Sequence, residues 1–374
     1  MLHIDQAEIK QQLLTKGVDP AHIKALHIKL QSGELDQTSF VLSPTQLLVP
    51  EPKNIVQYDA GSSNIGITAL KHDELLLFWL NGGAATRYGS NLAKGVSPVI
   101  DDISYLELKI LDLLRVTKTH HLASHPPVVI MNSFVTDQPT REHLDMLYKK
   151  YSALDPTRIH FVVQQEHIPR FTNTAVREDI DVFVDQQGKL SWAPCGHGDF
   201  VYLLRDYLAH EQIPNVKYLF FSNIDNIAAT LDVVLLGQHI KSQLGRTVEI
   251  VDKSAADQGG VPCLVDGKMT IVEQMKFPPD FDYAALPWLN TNTFWFTLSD
   301  LLKFDNDLPW VLAEKTITEG NVIQLERFAC DVDLPSQYVL VNRLQRFWPI
   351  KRLADLDAAK QHPAFKKLLN LLQY

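Results

Sequence analysis

The residues able to do chemistry in this chain fall where apolar runs end. In the stretch 75–101, LLLFWLNGGAATRYGSNLAKGVSPVID, six apolar residues run into Asn81-Gly82-Gly83, and Arg87 and Lys94 follow within a dozen positions. Residues without a Cβ let consecutive N–H groups converge on an anion. An arginine then meets phosphate as a fork and a lysine as a point charge. The combination suits a polyphosphate, although the same residues read equally well as a Gly-Gly turn followed by surface charges. Neither the G-x-G-x-x-G of a dinucleotide site nor the spacing of a P-loop is present.

Asp225, in FFSNIDN, follows a second apolar run. A carboxylate at such a strand end can hold Mg²⁺ against substrate phosphates without a full protein cage. It can also be an Asx cap for the next helix, as can Asn223 and Asn226. In PCGHGD, 194–199, glycines flank His197 just ahead of a helical pattern. A backbone bent this tightly can pair with the edge of a flat base while His197 reaches a phosphate or a hydroxyl; the alternative is a helix start capped by Asp199. The NTNT segment, 290–293, offers donors and acceptors to sugar hydroxyls or forms a turn. Lys253 and Lys315 stand in polar, glycine-containing surroundings that do not separate function from solvation. Cys195 is modifiable if it is exposed.

Such residues need a frame to converge. Apolar positions at helical spacing in 3–32, broken at Asp19-Pro20, predict a helical pair. The stretch 31–61, rich in Ser, Thr and Pro, reads as an extended surface connector. Beyond it, strands at 75–80, 128–131, 159–163 and 216–221 alternate with helices at 105–116, 140–151, 199–209 and 230–243. Strict alternation predicts an α/β fold with a doubly wound, mostly parallel, Rossmann-like sheet, helices on both faces and ligands at the carboxyl ends of the strands. Those ends read NGG, NS, QQ and SNIDN, all small, polar or acidic. Short strands at 248–251, 262–265 and 270–273 follow, the latter two joined by the hairpin signal Asp266-Gly267. A strand leading into a helix is predicted over 294–302, and a helical tail over 351–374.

Composition excludes several classes. With 45% hydrophobic and 21% charged residues among 374, the chain is an ordinary globular protein, and 35 Lys+Arg against 44 Asp+Glu give −9. No basic run exists for nonspecific nucleic-acid binding. Three scattered cysteines make no disulfide framework or zinc cluster. No leader-like segment and no run of 18 apolar residues is found, so the expectation is a cytoplasmic protein without a membrane or nucleic-acid partner.

Taken in order, LNGGAATRYG, Lys94, VVIMNSF, FVVQQEHIPR, WAPCGHGDFVYLL, YLFFSNIDNIAATLD, DKSAADQGG, LNTNTFW and NVIQLER resemble the successive blocks of the UTP-glucose-1-phosphate uridylyltransferases, or UDP-glucose pyrophosphorylases, from about residue 50 to about residue 350. The resemblance implies a nucleotidyltransferase domain at 51–350, preceded by a helical segment and connector at 1–50 and followed by the tail at 351–374. It implies that Leu80, Gly82 and Gly83 belong to the nucleotide loop and that Lys94, with Arg87 nearby, meets the phosphates. Met131, Gln165 and Gly196 match the uracil positions, and His197 a phosphate contact. Asn223 and Asp225 match those holding ribose or sugar and Mg²⁺. Gly260, Glu273, Asn290 and Asn292 match the sugar pocket, Lys253 stands in a substrate-binding block, and Lys315 matches the lysine approaching the reacting phosphate.

The implied reaction is UTP plus glucose 1-phosphate to UDP-glucose and pyrophosphate, with Mg²⁺ as cofactor. The same reaction on another sugar 1-phosphate, or a catalytically weak nucleotide-sugar-binding regulator, remain alternatives. The chain departs from the family where Ala84-Ala85 replace the Leu-Gly of a GGLGT loop, where Cys195 stands for proline, and where Thr293 stands for asparagine. Family members with a long C-terminal β-helix continue well past the position of FWPIK, after which some twenty residues follow here. The expectation is a short form that does not assemble through a β-helix.

Overall fold

All six residues of the strand Leu75–Leu80 are buried, and they alternate between two cores. Leu75, Leu77 and Trp79 join one, Leu76, Phe78 and Leu80 the other. A strand apolar on both faces must be covered on both. The computed structural model, which describes residues 2–83 and 93–372, supplies that cover. Ala84, Ala85 and Arg87 lie outside the described residues.

The main sheet has eight strands: β1 (Val56–Gln57), β2 (Leu75–Leu80), β3 (Val128–Ser133), β4 (Ile159–Gln164), β5 (Tyr218–Asn223), β6 (Arg246–Asp252), β7 (Trp288–Thr297) and β8 (Ser336–Leu340), in the order β1-β8-β6-β7-β5-β2-β3-β4. Neighbours pair in parallel except β7, which runs antiparallel to β5 and β6. Helices Ser63–Lys71, Tyr105–Thr119, Asp137–Lys150 and Val233–Ser242 and the C-terminal pair cover one face, and Phe200–His210 and Leu298–Leu302 the other. Local signals set their starts: Ser104 accepts from Glu107 N–H, and Asp232 from Val234 and Leu235 N–H. The doubly wound sheet expected from alternation is therefore present, and β5, β2, β3 and β4 lie side by side with SNIDN, NGG, NS and QQ at one edge.

Several expectations need correction. The connector is partly packed: Val56–Gln57 is the edge strand of the sheet, and Leu47–Leu48 pairs with Leu264 and Val265. NTNT is neither a loop nor a turn but the middle of β7, where Asn292 adopts φ +54° beside a bulge opposite Glu249. The tail is two helices, Leu353–Gln361 and Pro363–Leu372, because Pro363 supplies no N–H to continue the first. The hairpin of Val311–Ile317 and Gly320–Glu326 places Lys315 on a strand. At the other end of the chain, helices Ala7–Thr15 and Pro20–Ser32 form a third core with Ile168, Phe171, Val182 and Leu325.

One buried ion pair joins these layers. Glu249 of β6 is 0% exposed at its side chain and Arg346 5%. Arg346 donates to both carboxylate oxygens at 2.7 and 2.9 Å and to Thr230 O at 2.7 Å, and Trp295 Nε1 donates to Glu249 at 2.9 Å. Removing one partner strands a buried charge. Arg346→Met is expected to lower stability in urea unfolding by about 3–5 kcal/mol, and Arg346→Met with Glu249→Leu to recover most of it. Equal losses in both variants would remove the pair from this role.

Candidate active site

At the carboxyl edge of the sheet, the loop after β2 and the loop after β5 meet. Asn81, fully buried, donates to Asn132 and Thr140 at 2.8 Å and accepts from Gly95 N–H at 3.1 Å. Lys94 N–H bonds to Gly83 O at 3.0 Å. The segment on either side of the nucleotide-loop candidate is thus tied down, and Lys94 Nζ lies 2.7 Å from Asp225 Oδ2, the two side chains 12% and 17% exposed. The candidate phosphate-meeting cation and the candidate metal ligand, 131 residues apart, are in contact.

The glycine-histidine turn closes the second side. Gly196 has φ +83°, and a Cβ there would lie 2.5 Å from Arg327 O; both facts require glycine. Gly198 N–H donates to Arg327 O and Arg327 N–H to Cys195 O, each at 2.8 Å. Gln164, at the end of β4, donates to Gly196 O at 2.7 Å and stands 3.1 Å from where a Cβ of Gly82 would be. Of the two glutamines, Gln164 is therefore the buried bridge between the turn and the glycine loop, and Gln165 is the exposed one. Leu80 and Met131 sit in the core below, 8% and 2% exposed. Cys195 is 2% exposed and burial pushes its thiol well up, so the condition for modification is not met. Burial also raises Asp199, to about 6, against the opposing pull of Arg327.

The third side is β7 and its surroundings. Asn292 Nδ2 donates to Asn223 Oδ1 at 3.0 Å, Asn290 Oδ1 accepts from Asn292 N–H at 3.0 Å, and Asn290 N–H bonds to Gly260 O at 2.9 Å. A Cβ at Gly260 would lie 2.6 Å from Glu273 Oε1. Burial raises the Glu273 carboxyl, to which the Cys330 thiol donates at 3.4 Å. Lys253 lies over the Tyr283 ring at 4.4 Å, beside the 257–260 loop that Arg343 holds through Asp257 at 2.8 Å. Lys315, 40% exposed, reaches Glu326 at 3.1 Å, which places it next to the Gly196 turn. Lys351 was not singled out from sequence, yet its charge bears on both His197 and Glu273. A lysine after Trp-Pro-Ile carries no local signal for that.

His197 accepts from Ala329 N–H through Nδ1 at 3.0 Å, so its proton sits on Nε2, free to donate. Burial, helped by Lys351, pushes its pKa down to about 4 from 6.5. The unfolded chain takes up this proton first, so the histidine's contribution to stability falls as pH drops from 6.5 towards 4. Imidazole ¹⁵N spectra, assigned with His197→Gln, are expected to show the neutral Nε2–H tautomer from about pH 8 to about pH 5. A midpoint near 6.5 would overturn this assignment.

Known proteins resemble this chain in sequence and in fold. A family model described as UTP–glucose-1-phosphate uridylyltransferase matches residues 32–367. A probable UTP–glucose-1-phosphate uridylyltransferase of Schizosaccharomyces pombe is 29% identical over 332 residues, covering 83% of this chain and 63% of that protein. The UTP–glucose-1-phosphate uridylyltransferase of Saccharomyces cerevisiae is 30% identical over 336 residues, covering 83% and 64%. The chain thus spans less than two thirds of the length of these relatives. A crystal structure of UDP-glucose phosphorylase from Trypanosoma brucei shares the fold, with TM-score 0.74 and 24% identity over 93% of this chain and 77% of that one. With a match running through every side of the cleft, from the glycine loop to Lys351, the chain belongs to the UTP–glucose-1-phosphate uridylyltransferase family.

Proposed function

We propose that the chain transfers a uridylyl group from UTP to glucose 1-phosphate, releasing pyrophosphate. The observation that carries this reading is the Lys94–Asp225 contact at the junction of the two strand-end loops. It sets a phosphate-binding cation beside a carboxylate at the edge where a parallel sheet binds its ligands. In the reaction, an oxygen of the sugar phosphate attacks the α-phosphorus of UTP, a P–O bond forms there, and the bond to the pyrophosphate leaving group breaks. The nucleophile is already an anion, so no side chain need remove a proton. What remains is positioning and neutralisation of charge.

Each side of the cleft has a part in that reading. Gly82, Gly83, Gly196 and Gln165 receive the nucleotide, its base lying against the turn that Gln164 supports. Asn223, Asn290 and Asn292, already joined by hydrogen bonds, receive hydroxyls with Gly260, Glu273 and Lys253 beside them. His197 donates from Nε2 to a phosphate oxygen, and Lys94, Lys315, Lys351 and Arg87 counter the phosphate charge. The donor chemistry fits Mg²⁺: Asp225 offers a single, partly exposed carboxylate, paired with Lys94, and no group of three or more His, Cys, Asp or Glu gathers among the described residues. A hard cation held by one carboxylate completes its shell with substrate phosphates and water. When bound, Mg²⁺ supplies charge neutralisation on the triphosphate.

The catalytic unit in this reading is 51–350, braced by 2–50 and covered on one face by the helices at 353–372. Its three cysteines are free and buried, and no described helix is long and apolar enough to cross a membrane. Free thiols suit a reducing compartment such as the cytoplasm. Pyrophosphate release measured with UTP, Mg²⁺ and a panel of sugar 1-phosphates tests the reading, with glucose 1-phosphate the expected substrate. No release with any sugar would end it. Lys315→Ala is expected to lower kcat roughly 10²-fold while leaving the KM for UTP nearly unchanged. Unchanged turnover would remove Lys315 from the reacting phosphate.

A further inference from the structure

Lys109 lies in the middle of the helix Tyr105–Thr119 and is 4% exposed, a burial that lysines accept only with partners. Its Nζ donates to Ala229 O at 2.7 Å and to Ser222 Oγ at 3.3 Å. These acceptors stand at either end of the segment carrying Asn223 and Asp225: Ser222 is the penultimate residue of β5, and Ala229 lies where the loop turns toward the next helix. The lysine therefore spans the base of the loop with Asp225 on its arc. Other contacts hold single points of the segment: Asn292 donates to Asn223 at 3.0 Å, Lys94 to Asp225 at 2.7 Å and Ile350 N–H to Asp225 O at 3.1 Å, and on the far limb Asp112 accepts from Leu231 N–H and Arg346 donates to Thr230 O, each at 2.7 Å, whereas Lys109 reaches both ends. Asn226 holds the loop to Trp348 N–H at 2.9 Å.

We infer that Lys109 is a positioning residue for Asp225, setting the carboxylate's place by closing the base of its loop. The inference rests on the proposed uridylyl transfer, since Asp225 matters there as the Mg²⁺ ligand. Burial pulls the ammonium down to about 7, while the carboxylates of Asp112, Asp225 and Glu249 oppose that shift, so the same group also faces Asp225 electrostatically. An apolar side chain of equal length would fill the space and leave the loop base open.

Calorimetry of UTP binding, once in EDTA and once with Mn²⁺, reads this apart from general damage. In Lys109→Met, UTP affinity in EDTA is expected to stay within about 2-fold of wild type, while the gain from Mn²⁺ falls roughly 10-fold or more, the loss typical of residues that orient a metal ligand. Lys109→Gln, which keeps a donor for Ala229 O, is expected to restore part of that gain, and Ser222→Ala to lose a smaller part. The last two variants carry the test if the methionine variant does not fold. An undiminished Mn²⁺ gain in the folded variants, or equal losses with and without metal, would overturn the inference. A wild-type protein that binds no UTP, or gains nothing from Mn²⁺, would instead sink the functional reading on which it rests.

Discussion

The carboxylate of Glu249 is the constraint around which the cleft is built. A charge with no exposure must be met by a partner, and its partner Arg346 comes from 97 residues further along the chain. The guanidinium also reaches Thr230, in the loop that carries Asp225, while Arg346 O accepts from Asn226. One buried pair thereby joins the centre of the sheet, the β5 loop and the start of the C-terminal segment. The same Glu249 faces the bulge that gives Asn292 its left-handed backbone. Because β7 runs against β5 and begins beyond its carboxyl end, the middle of β7 meets that edge, which is how Asn292 comes opposite Asn223.

Around that frame the cleft stores its positive charge in ion pairs: Lys94 with Asp225, Lys315 with Glu326, Lys276 with Asp331. Of these, only Lys315 is well exposed, and an exposed pair of that kind contributes little to stability. Their arrangement makes more sense as exchange: in the proposed reaction Lys94 trades a carboxylate for a phosphate as Asp225 takes a cation. A chain of net charge −9 cannot attract a triphosphate by its general field, so such local cations matter more. His197 stands apart, neutral by burial and fixed in one tautomer, a donor rather than a charge.

Much of this was legible in the sequence, for identifiable reasons. Apolar runs that end in small polar residues predict strands ending at a ligand edge, and β2, β3, β4 and β5 all obey. Asp266-Gly267 predicts its hairpin, and both residues have positive φ. The failures share a cause: long-range context overrode local chemistry. NTNT reads as a turn because asparagine and threonine favour turns, but a bulge opposite a buried glutamate accommodates them within a strand. The connector looked unpacked because strands of two residues leave no periodicity to detect. Between Gln164 and Gln165 only the end of β4 decides which is buried. Lys109 and Lys351 gave no signal because a lysine in a helix or near a proline is ordinarily solvated.

The segment 326–330 shows how far one short stretch can govern a site. It reads as the end of a strand, LER, with nothing reactive about it. Yet Glu326 holds Lys315, the Arg327 backbone receives the Gly196–Gly198 turn, Ala329 N–H fixes the His197 tautomer, and Cys330 donates to Glu273. The glycine turn, His197 and Glu273 of the proposed site are thus referred to a common backbone, while Asn290 and Asn292 are tied to β5 through Asn223. A shift of that backbone would displace the turn, His197 and Glu273 together. The Lys94–Asp225 side is anchored instead on β2 and β5, and in the proposed reaction it is the side that admits a triphosphate and releases pyrophosphate.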